Sequence, residues 1–97
     1  MAHPLELNRA VPGGRIEVFA IRDESYASGW FYRFQYYHPD DGEILRYDNA
    51  HDDDTLGTHH RHIRFGDDTE IEFHGLVVHL TRFLNEVWEL APDEDTP

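Results

Sequence analysis

The first half of the chain alternates apolar and polar residues with a period of two, as half-buried β-strands do. Residues 15–22 form one such stretch, and residues 30–38 form another. In the second stretch one face is entirely aromatic, made of Trp30, Tyr32, Phe34 and Tyr36. Residues 39–42 are typical of a hairpin turn, so residues 43–48 are predicted to return as the partner strand. The aromatic face is predicted to be one wall of the core.

A second hairpin is predicted after a polar loop at residues 49–58. Residues 59–65 and residues 69–73 alternate on either side of a Gly-Asp-Asp turn. Alternation places Ile63 and Phe65 on one face of the first strand, and closure of this hairpin would place His62 and Arg64 opposite Glu70 and Glu72.

The last element changes period, because its apolar residues recur every three or four positions. This spacing predicts an amphipathic helix over residues 75–90, ended by Pro92. Its predicted buried stripe consists of Leu76, Val77, Leu80, Phe83, Leu84, Val87 and Trp88. His79 borders the stripe and is predicted to lie at the edge of the helix.

Together these elements predict an α+β fold, an antiparallel sheet of about five strands with one C-terminal amphipathic helix packed on one face. A chain of 97 residues fits a single domain. Its predicted parts are an N-terminal arm at 1–13, the sheet at 14–74, the helix at 75–90 and an acidic, disordered tail at 91–97.

The composition excludes several classes of protein. With no cysteine, the chain has neither disulfides nor thiolate metal sites. No apolar run approaches the roughly 20 residues that span a bilayer, and the polar N-terminus does not resemble a signal peptide. We therefore expect a cytoplasmic protein without membrane contact and without a bound cofactor.

The charge balance is strongly acidic. Asp and Glu number 20 against 8 basic residues, all of them Arg, for a formal charge of −12. Such a surface repels itself in dilute buffer, whereas at molar salt the screening length falls to about 3 Å. The acids spread along the whole chain, which favours adaptation to a halophilic, high-salt cytoplasm. In that setting overall acidity does not exclude nucleic-acid binding, and only local basic patches are informative.

Candidate chemistry begins in the predicted strand that ends at residue 48. Arg46 and Asp48 are two positions apart and share a face, so the carboxylate can orient the guanidinium to grip a phosphate. The alternative is an ion pair that only fixes the strand end. Asn49 can offer its amide to a substrate or begin the loop as a turn residue.

The second candidate segment is His59-His60-Arg61-His62. Alternation places His60 and His62 on one face about 7 Å apart, with Arg64 beyond them, and turns His59 and Arg61 to the other face. Two imidazoles and an Arg can supply base, acid and phosphate clamp for RNA cleavage by the ribose 2′-hydroxyl, with no metal. The alternative is a polar strand face neutralised by acidic neighbours.

A metal site is a third interpretation of the same residues. The His-x-His pair could bind zinc or another transition metal together with His51 or with an acid from residues 52–54. No third ligand falls at a characteristic spacing, so we expect no metal.

The run Arg46-Tyr47-Asp48-Asn49-Ala50-His51, followed by His59-His60-Arg61-His62, resembles the TumE family of small prokaryotic toxin components. The aromatic strand and the closing helix fit the same family, so the resemblance covers about residues 15 to 90. It implies a growth-inhibiting toxin of a type II toxin–antitoxin pair, neutralised by a DNA-binding antitoxin of helix-turn-helix type. RNA cleavage is an inference from the residue types and not from the resemblance.

The predicted site residues fall into two groups. The catalytic residues are His60, His62, His59, His51, Arg46 and Asp48, and the substrate-binding residues are Asn49, Tyr47, Arg61 and Arg64. The expected partners are the antitoxin and RNA, and pairing of sheet edges could make a homodimer. Two other functions stay open at this point: a non-enzymatic binding module and a metal-dependent hydrolase.

Overall fold

The computed structural model of the protein describes residues 3–50 and 58–92. Within them the chain forms one antiparallel sheet and one helix, which confirms the predicted α+β class. The elements are β1 (Leu5–Val11), β2 (Gly14–Arg22), β3 (Trp30–His38), β4 (Gly42–Asp48), β5 (His60–Ile63), β6 (Thr69–Glu70) and α1 (Leu76–Leu90). The described sheet has six strands where about five were predicted.

The strands form a meander in which each one pairs antiparallel with the next in sequence. For function the β4–β5 register matters most. Asp48 lies directly across from His60, and Arg46 lies directly across from His62. Because directly opposed residues project to the same face of a sheet, this register brings the four side chains together.

Residues 5–11, predicted as part of an N-terminal arm, instead form the edge strand β1. They pair with β2 along their whole length, from Leu5 opposite Ala20 to Val11 opposite Gly14. An edge strand has one neighbour and buries only part of one face, so its hydrophobic alternation is weak. Backbone pairing with β2, which composition does not reveal, decides that this segment is a strand.

The second hairpin is shorter than predicted, because β5 ends at Ile63. A hydrogen bond from the backbone N–H of Gly66 to the carbonyl of Ile63 closes a tight turn there. Phe65, predicted to continue the strand on the same face as Ile63, has a left-handed φ of 62° and is 99% exposed. The turn therefore directs this ring into solvent.

The shortened hairpin also changes the predicted register. Glu70 lies opposite His60, so the predicted placement of His62 and Arg64 opposite Glu70 and Glu72 is wrong. The pairing shifts because β5 ends at Ile63, two residues before its predicted end, while the returning strand begins at Thr69 as predicted.

Helix α1 covers one face of the sheet and follows the predicted bounds closely. Its buried residues are His79, Phe83 and Val87, whereas Val77 and Trp88 are 77% and 60% exposed. The predicted stripe was therefore rotated around the helix. Counting every apolar residue, and treating His79 as polar, drew its centre away from the true contact line.

The predicted aromatic wall is confirmed. Tyr32, Phe34 and Tyr36 are buried on the helix side of β3, and Trp30 packs at the margin of the core. Phe83 of α1 contacts the ring of Phe34, with centroids 5.6 Å apart. No helix in the described part of the chain is long and apolar enough to cross a membrane.

Candidate functional site

The open face of the sheet, opposite α1, carries the polar cluster. Leu45 and Tyr47 of β4 point into the core and are fully buried, so the residues that alternate with them point to the open face. We call Arg46, Asp48, His60 and His62, which are brought together there by the β4–β5 register, the open-face cluster.

Asp48 is the centre of this cluster. One carboxylate oxygen lies 2.7 Å from Arg46 Nε, and the other lies 3.2 Å from His60 Nδ1. His62 Nε2 lies 3.9 Å from the first oxygen. Arg46 also pairs with Glu43 through a nitrogen–oxygen contact of 2.9 Å. One carboxylate therefore orients a guanidinium and faces two imidazoles.

Burial is graded across the cluster. The side chains of His60 and Asp48 are only 3% and 9% exposed, whereas those of His62 and Arg46 are 18% and 29% exposed. Asp68 contacts His62 Nδ1 at 3.0 Å, on the side of the ring away from Asp48. His62 and Arg46 are thus the members that solvent or a substrate can reach, and His60 lies beneath them.

Asn49 and Tyr47 are held within the fold. The carbonyl oxygen of the fully buried Asn49 side chain accepts from the N–H of Tyr32, and its amide donates to the Trp30 carbonyl. Asn49 therefore joins the end of β4 to the start of β3. The Tyr47 ring lies in the core and its hydroxyl donates to Glu86 of α1. Burial, with Glu86 as the accepting partner, raises the pKa of Tyr47.

Arg61 also points to the helix side, as strand alternation predicted. Its guanidinium forms a two-pronged ion pair with Glu86, in which Nε lies 3.0 Å from each carboxylate oxygen. Burial alone would raise the pKa of Glu86, but hydrogen bonds from Arg61 and Tyr47 hold it below its usual value. Arg61 therefore joins β5 to α1, away from the open-face cluster.

His59 likewise lies on the helix side. Its Nδ1 is 2.9 Å from the Tyr32 hydroxyl, and its ring stacks on Phe73 with centroids 4.8 Å apart. Burial first, and then the neighbouring His60, lowers the pKa of His59. Arg64 lies in the turn after β5, where it bonds to the backbone carbonyl of Asp41. His51 lies outside the described residues.

His79 is a buried polar residue that sequence reasoning placed at the helix edge. It is 1% exposed, and its ring contacts the aromatic side chains of Tyr32, Tyr47 and Phe73. Burial lowers its pKa to about 4, with nearby cationic groups adding to the effect. The available signal was helical spacing. His79 lies three residues after Leu76 and four before Phe83, so it shares a helix face with Leu76, Leu80 and Phe83.

The open-face cluster permits two kinds of chemistry. A solvent-reachable imidazole beside a fixed guanidinium can exchange a proton and bind a phosphate. Alternatively, Asp48, His60 and His62 each offer one ligand atom within 4.8 Å of the others, a donor set suited to zinc or a related transition metal.

Fold and site together define a small α+β domain with a helix on one sheet face and an Asp–His–Arg cluster on the other. The family model described as Toxin TumE matches residues 6–91, nearly the whole chain. The chain therefore belongs to the TumE toxin family, which makes it a toxin component of a toxin–antitoxin system and implies an antitoxin partner. No curated protein and no solved structure gave a significant match.

Proposed function

We propose that this toxin arrests growth by cleaving RNA without a metal ion, through the open-face cluster. The observation that carries the proposal is the grouping of Arg46 and His62, both reachable from solvent, around the buried carboxylate of Asp48. Arg46 binds the phosphate, and His62 exchanges the proton. Asp48 orients Arg46, Asp68 contacts and orients His62, and His60 acts as a positioning residue that holds Asp48 from beneath.

The proposed step is an internal transfer at phosphorus. The ribose 2′-oxygen attacks the adjacent phosphate and gives its proton to His62 Nε2. The bond from phosphorus to the 5′-oxygen breaks, and that oxygen takes a proton from water. The products are a 2′,3′-cyclic phosphate and a 5′-hydroxyl, while His62 returns its proton to solvent. Arg46 stabilises the negative charge that builds on the phosphate oxygens.

Asp68 supports the role given to His62. A carboxylate 3.0 Å from Nδ1 favours a proton on that nitrogen, which leaves the lone pair on Nε2. Nε2 faces the site, 3.9 Å from Asp48, too far for a direct hydrogen bond. The base is therefore directed toward the place where a hydroxyl would bind.

The decisive experiment compares His62→Gln with His74→Gln. His74 is a well-exposed histidine that also contacts a carboxylate, Glu72, but lies outside the open-face cluster. On induced expression, His62→Gln should abolish growth arrest and RNA cleavage with little change in melting temperature. His74→Gln should retain both, and EDTA should leave cleavage by the unaltered protein intact. Growth arrest that persists in His62→Gln would refute the proposal.

The ligand set of Asp48, His60 and His62 favours a second candidate, a metal-dependent hydrolase. In that case Arg46 would orient Asp48 from outside the coordination shell, as supporting residues commonly do. Metal analysis of protein purified in high salt without chelator separates the two candidates. A stoichiometric transition metal, together with cleavage lost in EDTA, would establish the metal-dependent enzyme.

The cellular setting follows from charge and family. We infer that the toxin works in the cytoplasm of a halophilic prokaryote, since its −12 charge favours a medium of high ionic strength. The proposed partner is a type II antitoxin with a helix-turn-helix domain. A small reading frame of that kind beside the toxin gene would support this part of the proposal.

A further inference from the structure

A groove crosses the open face of the sheet next to the open-face cluster. It has a volume of about 680 Å³, in the range of ligand-binding clefts. Its lining includes Glu6, Asn8, Glu17, Phe19, Phe31 and Arg33. The chemistry proposed above uses none of these residues, so the groove calls for its own explanation.

Two aromatic side chains are among the apolar residues that line the groove. Phe19 and Phe31 meet edge to face with ring centroids 6.1 Å apart, and Tyr26 packs against Phe31 at 5.7 Å. All three are half-buried. The helix lies on the other face of the sheet, so it does not cover these rings. Half-exposed aromatic rings on an open sheet are suited to stacking with the bases of single-stranded nucleic acid.

Arg33 connects these rings to the open-face cluster. It lies directly across β2–β3 from Phe19 and directly across β3–β4 from Asp48. Phe19 and Asp48 are therefore two strands apart, or roughly 10 Å. Among the described residues Arg33 forms no ion pair and makes one long hydrogen bond, to Gln35 at 3.4 Å. Its charge is available to a phosphate between the rings and the proton-transfer site.

The groove also carries acceptors for hydrogen bonds. Glu17 lines it and makes only a 3.4 Å contact with Asn8. A carboxylate in such a groove repels phosphate but accepts from the exocyclic amine of a base, as in recognition of cytosine. Glu17 and Arg33, which both line the groove, therefore suit the base and the phosphate of one nucleotide, respectively.

We propose that this groove binds the nucleotide next to the cleaved bond in a single-stranded RNA. The base stacks on Phe19 and Phe31, the phosphate contacts Arg33, and Glu17 selects a base that carries an exocyclic amine. The inference rests on the proposed function in taking RNA as the substrate, but binding in the groove can be measured without cleavage.

The test uses labelled oligodeoxycytidine, which lacks the 2′-hydroxyl and so binds without being cleaved. Fluorescence anisotropy in a KCl series gives the affinity for the whole chain. Phe19→Ala should weaken binding roughly tenfold or more, as loss of one stacking contact does. Arg33→Gln should weaken binding and flatten its dependence on salt, since one phosphate contact is lost. Oligodeoxythymidine, without the amine, should bind less tightly than oligodeoxycytidine.

Phe65→Ala is the matched control, because it removes an exposed ring from the turn after β5 and should leave affinity unchanged. Arg33→Gln covers the case in which Phe19→Ala fails to fold, since Arg33 is exposed. Loss of binding in both Phe19→Ala and Arg33→Gln supports nucleotide binding in the groove. If the unaltered protein binds in this way but does not cleave RNA, the proposed function fails and the binding site stands. Unchanged affinity in Arg33→Gln, or cleavage by Phe19→Ala with an unchanged KM, would overturn the inference.

Discussion

The ring of His79 meets the ring of Tyr32 edge-on inside the core, with centroids 4.9 Å apart and both side chains essentially inaccessible to water. Within the described residues, His79 Nε2 has no hydrogen-bond partner. Burial lowers the pKa of His79 from 6.5 to about 4, and it also raises the pKa of Tyr32. A titratable ring thus occupies a place that an apolar ring could fill.

This contact predicts a loss of stability in mild acid. Between pH 6.5 and about 4 the unfolded chain binds a proton at His79 that the folded chain does not. The stabilisation is fully present above pH 6.5 and is lost as the pH falls toward 4, by on the order of 3 kcal/mol. His79→Phe should flatten the melting temperature between pH 7 and 4.5 relative to the unaltered protein.

His3→Gln serves as the control for this pH series, because His3 is exposed and lies outside the core. It should follow the unaltered protein at every pH. His59, whose pKa burial also lowers, should leave a smaller residual slope in His79→Phe. An unchanged slope in His79→Phe would show that the buried ring does not govern acid sensitivity.

The Glu86 carboxylate predicts a role for Arg61 in stability and not in chemistry. Glu86 accepts hydrogen bonds from Arg61 and from the buried Tyr47, and so joins β4 and β5 to α1. Glu86→Gln should lower the free energy of unfolding by about 1–3 kcal/mol in urea titrations. Glu89→Gln, one turn from Glu86 on an exposed part of the helix, should change it little. Equal stabilities of the two variants would contradict the structural role.

Exposed apolar residues on α1 predict the surface that the antitoxin covers. Val77 and Trp88 are 77% and 60% exposed, although the exposed face of an amphipathic helix is usually polar. Buried tryptophans often dominate binding energy at interfaces. Trp88→Ala should retain growth arrest but weaken binding to the antitoxin roughly tenfold or more, measured by calorimetry with the neighbouring gene product. Phe65→Ala removes an exposed ring elsewhere and should still be neutralised; equal affinities for both variants would place the interface on another surface.

The acidic surface predicts stabilisation by salt. With 20 acidic residues against 8 basic ones, self-repulsion should decline as the screening length shortens. The melting temperature should rise steadily from dilute to molar KCl. Sorbitol at equal osmolality should give a smaller rise, because it does not screen charge. A melting temperature that is independent of KCl would argue against a high-salt origin.

Local patterns were sufficient for the elements that bury a full face. The alternation in β2 and β3 and the three-to-four spacing in α1 depend on neighbouring residues, so their existence follows from the sequence. Local patterns do not predict structure that depends on contacts with a distant segment or on a specific turn. Strand β1 depends on pairing with β2, and the position of Phe65 depends on a left-handed turn.

The candidate site shows the same division. Alternation by itself separated His60 and His62 from His59 and Arg61, and the structure has the two pairs on opposite faces. Only the register of β4 against β5 decided that Asp48 would stand beside both His60 and His62. No local pattern encodes that register, because it joins residues a dozen or more positions apart.

The sequence by itself determined the class of fold, the supply of imidazole and guanidinium groups, and the acidic surface, because each depends on composition or on short-range periodicity. Tertiary structure decided which of those groups meet: it gathered Arg46, Asp48, His60 and His62, buried His79, and tied Arg61 to Glu86. The physical reason is that packing and strand pairing join segments that are distant in sequence. The burial of a side chain and the charges beside it therefore depend on residues outside its local sequence.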